Sequence, residues 1–300
     1  MGGRLEIRAI FSNGIVRIGQ FQDLRKRAYN ICRSETHDRN MSPTFARYIG
    51  IDYSGAETAN SSLTGLRVYE ADQTSGATEI RTTDVPKMHW TRRAIAEWLV
   101  ERLSEAQPTL VGINHGFSFP LKYFQKYGLA HDWPAFLADF QKYWPTDADH
   151  TYVDFVREGD CGDAQARCGD SRWKRLTETR AGAKSVLNFH VPGSVAKSTH
   201  AGIPWLLYLR NRVADRVHFW PFDGWQVPTG RSAVVEIYPA LWRHNFPNNG
   251  RNRHQQDAYA AAEWLRRSER DGSLHRFFSP GLTENERKVV AIEGWILGIT

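Results

Sequence analysis

Three carboxylates lie inside apolar segments of this chain, where an unpaired acid destabilises a fold. Asp52 ends the run YIGID, and Glu236 lies within VVEIYP. Asp257 lies in HQQDAYAAAEWL, where apolar residues follow it at helical spacing. Each of these acids therefore needs a cation, a hydrogen-bond donor or water beside it.

These residue types match one kind of chemistry, because carboxylate oxygens are the ligands that Mg²⁺ and Mn²⁺ prefer. If Asp52, Glu236 and Asp257 converge, we expect them to hold one or two such ions. Two ions can activate a water and stabilise the leaving oxygen in phosphodiester hydrolysis. His254 precedes Asp257 by three residues on the same predicted helix face, so it is a candidate catalytic proton shuttle or further ligand. The alternative for each acid alone is a helix cap, a pairing with Arg or exposure to solvent.

The segment from Tyr48 to Tyr53 is predicted to be a buried strand, because it is short and apolar and is followed by small turn residues. Side chains alternate faces along a strand, which puts Gly50 and Asp52 on one side and Ile51 on the other. Asp52 then lies at the carboxyl end of the strand. Further strands are predicted over 64–71, 78–85, 109–114 and 233–239.

The helix that carries Asp257 has a defined start in the sequence. Asn252 is its predicted N-cap and Gln255 completes a capping box, so Asp257 lies about a turn inside the helix. An earlier helix over 91–105 is predicted to begin at Thr91. The order strand, strand, strand, helix, strand predicts an α/β fold with a mixed sheet flanked by helices.

The chain is predicted to consist of an N-terminal extension over 1–40, which includes a solvated, flexible linker, and a domain over 41–300. Residues 115–232 are predicted to be a large insertion between the fourth and fifth core strands, and the aromatic residues from Phe117 to Trp144 are predicted to form its core. This insertion is expected to contain helices near 133–143 and over 198–214, and a strand over 185–191.

Composition limits the partners only weakly. The net charge is +6, and eight basic against four acidic residues in 1–40 supply +4 of it, so charge alone is weak evidence for nucleic acid. No apolar run is long enough to span a bilayer, which predicts no membrane partner. The cysteines are sparse and odd in number, which favours a reduced, cytoplasmic setting.

A second candidate site lies in FHVPGSVAKSTHAGIP, where a small-residue loop joins a predicted strand to a predicted helix. Backbone N–H groups at that helix start, with Lys197, Ser198 and Thr199, could bind a phosphate of the substrate. The spacing of a P-loop is absent, and a plain loop with a helix cap at Ser198 or Thr199 is the favoured alternative.

The chain also resembles a known family. Taken in order, YIGIDYSG, VGINHGFSFP, VVEIYPALW, HQQDAYAAAEWL and EGWILG resemble the family grouped as domain of unknown function 429, in the ribonuclease H-like superfamily. The resemblance runs from Tyr48 to the end of the chain. It implies a divalent metal site and nuclease activity on nucleic acid, with Asp52 as the first-strand acid, Glu236 as a later strand acid and Asp257 as the acid of the last helix. The HQQD spacing is similar to that in Holliday-junction resolvases.

One position departs from the pattern of that family. Asn114 lies where many relatives carry Asp, and an amide brings no charge and cannot act as a base. Asn114 is then at best a weak metal ligand, or His115 takes its place.

The alternative is a catalytically inactive ribonuclease H-like binding protein. A phosphotransferase is less favoured: GIDYSG is similar to the first phosphate loop of sugar kinases and actin, but the sequence has no second glycine-rich phosphate loop.

Overall fold

The computed structural model describes residues 44–82, 88–191 and 194–300. The predicted extension over 1–40 lies outside these residues, and so does the end of the strand predicted over 78–85. Six strands within the described residues form one sheet in the order β3-β2-β1-β4-β6-β5. They are β1 (Arg47–Asp52), β2 (Arg67–Asp72), β3 (Thr78–Ile80), β4 (Thr109–Asn114), β5 (Val217–Phe219) and β6 (Ser232–Glu236). β1, β4, β6 and β5 are parallel, whereas β2 is antiparallel to β1 and to β3, so the sheet is mixed.

Helices cover both faces of this sheet. Those in the described part of the chain are α1 (Arg92–Ser104), α2 (Leu121–Tyr127), α3 (Trp133–Tyr143), α4 (Val153–Glu158), α5 (Leu176–Arg180), α6 (Ala196–Val213), α7 (Arg253–Arg270), α8 (Leu274–Phe278) and α9 (Glu284–Glu293). The predicted α/β class, a mixed sheet flanked by helices, is confirmed. The helices α2 to α6 all lie between β4 and β5, within the predicted insertion.

The two faces of the sheet bury different cores. Ile49 and Ile51 of β1 pack in the cluster that includes residues of α1 and α6. Tyr48, on the other face, belongs to the cluster that includes Leu265 of α7. Alternation along β1 therefore sends Asp52 toward the α7 face, as the sequence pattern predicts.

Side-chain caps fix the starts of the two helices that flank β1. The Thr91 side chain accepts a hydrogen bond from the N–H of Ala94 and begins α1. Asn252 and Gln255 form a reciprocal capping box at the start of α7, with N···O distances of 2.9 and 3.1 Å. Both predicted caps are confirmed.

A predicted strand and a predicted helix cap are wrong, whereas the helix predicted over 198–214 is present as α6 (Ala196–Val213). Residues 185–191 form turns rather than a strand, because the Asn188 side chain accepts the N–H of His190 and so competes with strand pairing. The helix predicted over 198–214 begins earlier, at Ala196, so neither Ser198 nor Thr199 is its cap. The short edge strand β5 has no counterpart among the predicted strands.

No helix among the described residues is long and apolar enough to cross a membrane.

The contact between β1 and α7 depends on Gly50. A Cβ at this position would lie 2.3 Å from the Ala258 carbonyl oxygen and 2.5 Å from the Ala262 nitrogen, both backbone atoms that cannot rotate away. We expect Gly50→Ala to lower the free energy of unfolding by about 1–3 kcal/mol, measured by urea denaturation. Gly281→Ala is the matched control, because a Cβ there meets no atom within 4 Å and should change stability by less than about 0.5 kcal/mol. Equal stability of the two variants would contradict close packing at Gly50.

Candidate active site

Asp52 and His254 form a direct pair at the carboxyl end of β1. Nδ1 of His254, in the first turn of α7, lies 2.7 Å from Oδ2 of Asp52. An ionised carboxylate only accepts hydrogen bonds, so the imidazole donates from Nδ1 and leaves Nε2 for other partners. The side chain of Asp52 is 6% exposed, whereas that of His254 is 49% exposed. A buried acid thus orients a histidine that solvent can reach.

Asn114 completes the bonding of Asp52 from the neighbouring strand. Asn114 and Asp52 are directly in register between β4 and β1. The Asn114 amide donates from Nδ2 to Oδ1 of Asp52 at 2.7 Å. Both carboxylate oxygens of Asp52 therefore accept a hydrogen bond, and the amide acts as a donor to the acid rather than as a ligand beside it.

Cationic and polar side chains of β2, β3 and α7 lie on the other side of Asp52. Arg67 is opposite Asp52 in the β1–β2 register. Its Nη1 lies 3.0 Å from Nδ1 of His89 and 3.5 Å from Oε1 of Glu79. Gln255 donates to the second oxygen of Glu79 at 3.0 Å, which ties α7 to β3.

Asp257 lies close enough to Asp52 for the two charges to interact, but a guanidinium holds it. Nη1 of Arg243 contacts Oδ1 and Oδ2 of Asp257 at 2.9 and 3.0 Å. Burial raises the pKa of Asp257, and the negative charge of Asp52 adds to that effect, while the hydrogen bonds from Arg243 oppose it. Arg243 comes from the short 3₁₀ turn Arg243–Asn245 that follows β6.

The charge of Asp52 also determines the protonation of His254. The hydrogen bond to Asp52 and the charge of that carboxylate raise the pKa of His254, against the opposing effect of its partial burial. The imidazolium form is therefore favoured more than in a free histidine, and His254 is suited to give as well as take a proton.

Glu236 does not lie in this site. The prediction that it converges with Asp52 is wrong, because the register of the sheet places it elsewhere. Glu236 pairs with Ile113, one residue before Asn114, so its side chain lies on the opposite face of the sheet from Asp52. There it forms a bidentate ion pair with Arg175 at 2.6 and 2.7 Å. The side chains of Arg175 and Glu236 are only 1% and 5% exposed, which makes this pair part of the core.

His115 is likewise turned away, because it follows Asn114 on the alternating strand. It is buried, its Nδ1 lies 2.9 Å from the Gly116 carbonyl oxygen, and burial lowers the pKa of its imidazole to about 4. It cannot replace Asn114 as a ligand beside Asp52.

The predicted three-carboxylate metal centre does not fit this arrangement. Glu236 is bound to Arg175, Asp257 is bound to Arg243, and both oxygens of Asp52 accept hydrogen bonds. Among residues 44–82, 88–191 and 194–300, no three or more His, Cys, Asp or Glu side chains form a group that could hold a metal ion. The positive charge beside each acid comes from the protein itself.

The residues that were predicted to bind phosphate, at the start of α6, instead contact other residues of the protein. Lys197 pairs with Asp154 at 2.5 Å, and Ser198 donates to the Val195 carbonyl oxygen at 3.0 Å. Thr199 is fully buried and accepts the Gly116 N–H at 2.9 Å. They do not present one common surface to a phosphate, since Thr199 is inside the core.

Sequence analysis missed the two arginines that pair with Glu236 and Asp257. Arg175 lies in the basic segment SRWKRLTETR, which looks like a solvated surface, and Arg243 lies in a turn without a motif. Both meet their acids only through tertiary contacts. No local pattern distinguishes them from the other arginines of the chain.

The structural role of Glu236 can be tested by comparing the free energy of unfolding of variants at a buried and at an exposed acid. Glu236→Gln removes one of the two carboxylates paired with the buried Arg175, the other being Glu178, and should lower the free energy of unfolding by about 1–3 kcal/mol. Asp149→Asn, which alters the exposed pair with Arg93, should change it by less than about 1 kcal/mol. Urea denaturation measures both, and a change at Glu236 as small as that at Asp149 would contradict a structural role.

The pairing of His254 with Asp52 predicts a raised pKa for the imidazole of His254. In the folded protein its pKa should lie above the ordinary 6.5, and Asp52→Asn should lower it, as followed by the imidazole NMR signals. The pair's contribution to stability is then fully present below pH 6.5 and is lost as the pH rises through the pKa of His254 in the folded protein. Asp149→Asn serves as the control and should leave the titration unchanged; an equal shift in both variants would exclude a specific pair.

No family model, no curated protein and no solved structure matches the chain, so the functional argument depends on the geometry of its own residues.

Proposed function

We propose that this protein is a phosphodiester hydrolase, most directly a nuclease, of ribonuclease H-like architecture, in which Asp52 and His254 form the proton-transfer pair. The observation that carries the proposal is the 2.7 Å contact between these residues at the carboxyl end of a central strand. A buried acid that fixes the tautomer of an exposed imidazole is the arrangement that general acid–base catalysis uses.

The order β3-β2-β1-β4, with β2 antiparallel and the remaining neighbours parallel, supports the architectural part of the proposal. So does the position of α7, whose first turn lies over the end of β1. This is a likeness of topology, and the activity is argued from the site alone.

The proposed chemistry uses the two protonation states of His254. Asp52 keeps a proton on Nδ1, so Nε2 is the atom that exchanges protons with the substrate. Neutral Nε2 takes a proton from the attacking water as the water oxygen bonds to phosphorus, and the protonated Nε2 then gives that proton to the leaving oxygen as its bond to phosphorus breaks. Asp52 remains ionised and stabilises the imidazolium. No step is assigned to a metal ion, because Arg243 and Arg175 occupy the other acids.

An anionic substrate fits the charges around the pair. Arg67, Arg243 and Arg253 lie near His254 or its acidic neighbours, and Arg253 acts electrostatically on both His254 and Asp257. Cationic side chains bind the phosphate of a phosphodiester and stabilise negative charge that develops on its oxygens. Nucleic acid is therefore the substrate class to test first.

A second candidate is a ribonuclease H-like protein that binds nucleic acid without cleaving it. Two observations favour it: an uncharged Asn114 at the end of β4, and the Arg243 guanidinium on Asp257. Such a site would keep its affinity for phosphate and have no proton transfer to perform.

Cleavage of labelled DNA and RNA oligonucleotides, single- and double-stranded, separates the two candidates. We expect cleavage in the presence of chelator and a loss of about 10²–10⁴-fold in His254→Asn, which keeps a donor toward Asp52 but cannot exchange protons. Asp149→Asn is the matched control and should retain full activity.

Saturable binding without cleavage of any substrate would favour the binding protein. Cleavage that His254→Asn leaves unchanged would contradict the proton-transfer pair. Cleavage that depends on added Mn²⁺ would contradict the metal-free chemistry.

A further inference from the structure

A small cavity lies on the face of the sheet opposite the candidate active site, between the end of β1 and the helices α1 and α6. Its volume is about 10 Å³, which is the scale of a single water-sized species. Its lining includes Tyr53, Arg92, His115 and Trp205, together with apolar side chains.

Arg92 is the unusual member of this lining. Its side chain is fully buried, and its two terminal nitrogens donate to the carbonyl oxygens of Ser54, Ala56 and Glu57 at 3.2, 2.6 and 2.6 Å. No carboxylate in the described part of the chain forms an ion pair with it. Carbonyl dipoles and the more distant charge of Glu57 are what offset the burial of this cation, so the site favours a negative charge directly beside it.

Three polar atoms of the lining residues are buried and have no hydrogen-bond partner: Nε of Arg92, the hydroxyl of Tyr53 and Nε1 of Trp205. The two nitrogens only donate, and burial raises the pKa of Tyr53, which keeps its hydroxyl protonated and able to donate. A water molecule accepts from at most two of these three donors. A small anion needs only donors, and it also compensates the charge of Arg92.

We propose that this cavity binds a monatomic anion of the chloride class, held by Arg92, Tyr53 and Trp205. The three carbonyl groups that Arg92 binds belong to the loop directly after Asp52. A bound anion therefore stabilises the conformation of this loop and contributes to the stability of the domain.

The test compares thermal unfolding in sodium gluconate, chloride and bromide at constant ionic strength. Chloride and bromide should raise Tm in a saturable manner by on the order of 2–4 °C relative to gluconate. Tyr53→Phe removes one donor but keeps the ring, and it should abolish most of the halide-specific shift. Tyr208→Phe, whose residue does not line the cavity, should retain the shift.

Crystals soaked in bromide give the direct measurement. An anomalous peak between Arg92, Tyr53 and Trp205 is expected. A Tm that is the same in all three salts, a halide effect that Tyr53→Phe leaves intact, or a cavity without a bromide peak would each overturn the proposal. Tyr53→Phe is used rather than a change at Arg92, because losing three contacts to backbone carbonyls could itself unfold the loop.

Discussion

The close approach of α7 to β1 is the contact on which the candidate site depends. Gly50 allows it, because its missing side chain leaves room for the backbone of α7 at Ala258 and Ala262. The helix then lies directly over the strand, and its first turn brings His254 to the carboxylate of Asp52. A larger residue at Gly50 would separate the two elements, and with them the side chains of Asp52 and His254.

Electrostatic compensation is the second organising feature of the domain. Each of the three acids in apolar surroundings has its own positive or polar partner: His254 and Asn114 for Asp52, Arg243 for Asp257, and Arg175 for Glu236. The pairs that these acids form differ in how far they are buried, and the degree of burial decides whether a pair is part of the core or accessible to solvent. The Arg175–Glu236 pair is closed to solvent and joins the insertion to the sheet, whereas the ring of His254 is open to solvent.

Arg92 is the reverse case, a buried cation without a carboxylate partner among the described residues. It binds the loop after β1 on the side of the sheet that carries α1 and α6, while Asp52 at the end of the same strand faces α7. The two faces of one strand end thus carry opposite charges in different surroundings.

The sequence by itself determined the local elements of this protein. The strand ending at Asp52, the Thr91 cap, and the capping box of Asn252 and Gln255 follow from side-chain alternation and short-range hydrogen bonds, which act within a few residues. It also placed Asp52, His254 and Asp257 on facing surfaces of a strand and a helix. The short strand β5 escaped prediction because its pairing with β6 outweighs a weak local preference, and the turns at 185–191 escaped it because the Asn188 side chain bonds the backbone locally.

Only the tertiary structure decided which acids meet and which cations they meet. Glu236 carries the same local signal as Asp52, an acid near the carboxyl end of an apolar strand. A register offset of one residue between β4 and β6 places it on the other face of the sheet, beside Arg175. Register depends on pairing between strands that are more than a hundred residues apart, and ion pairing depends on which side chains that pairing brings together. Neither quantity is encoded in a local pattern of residue types.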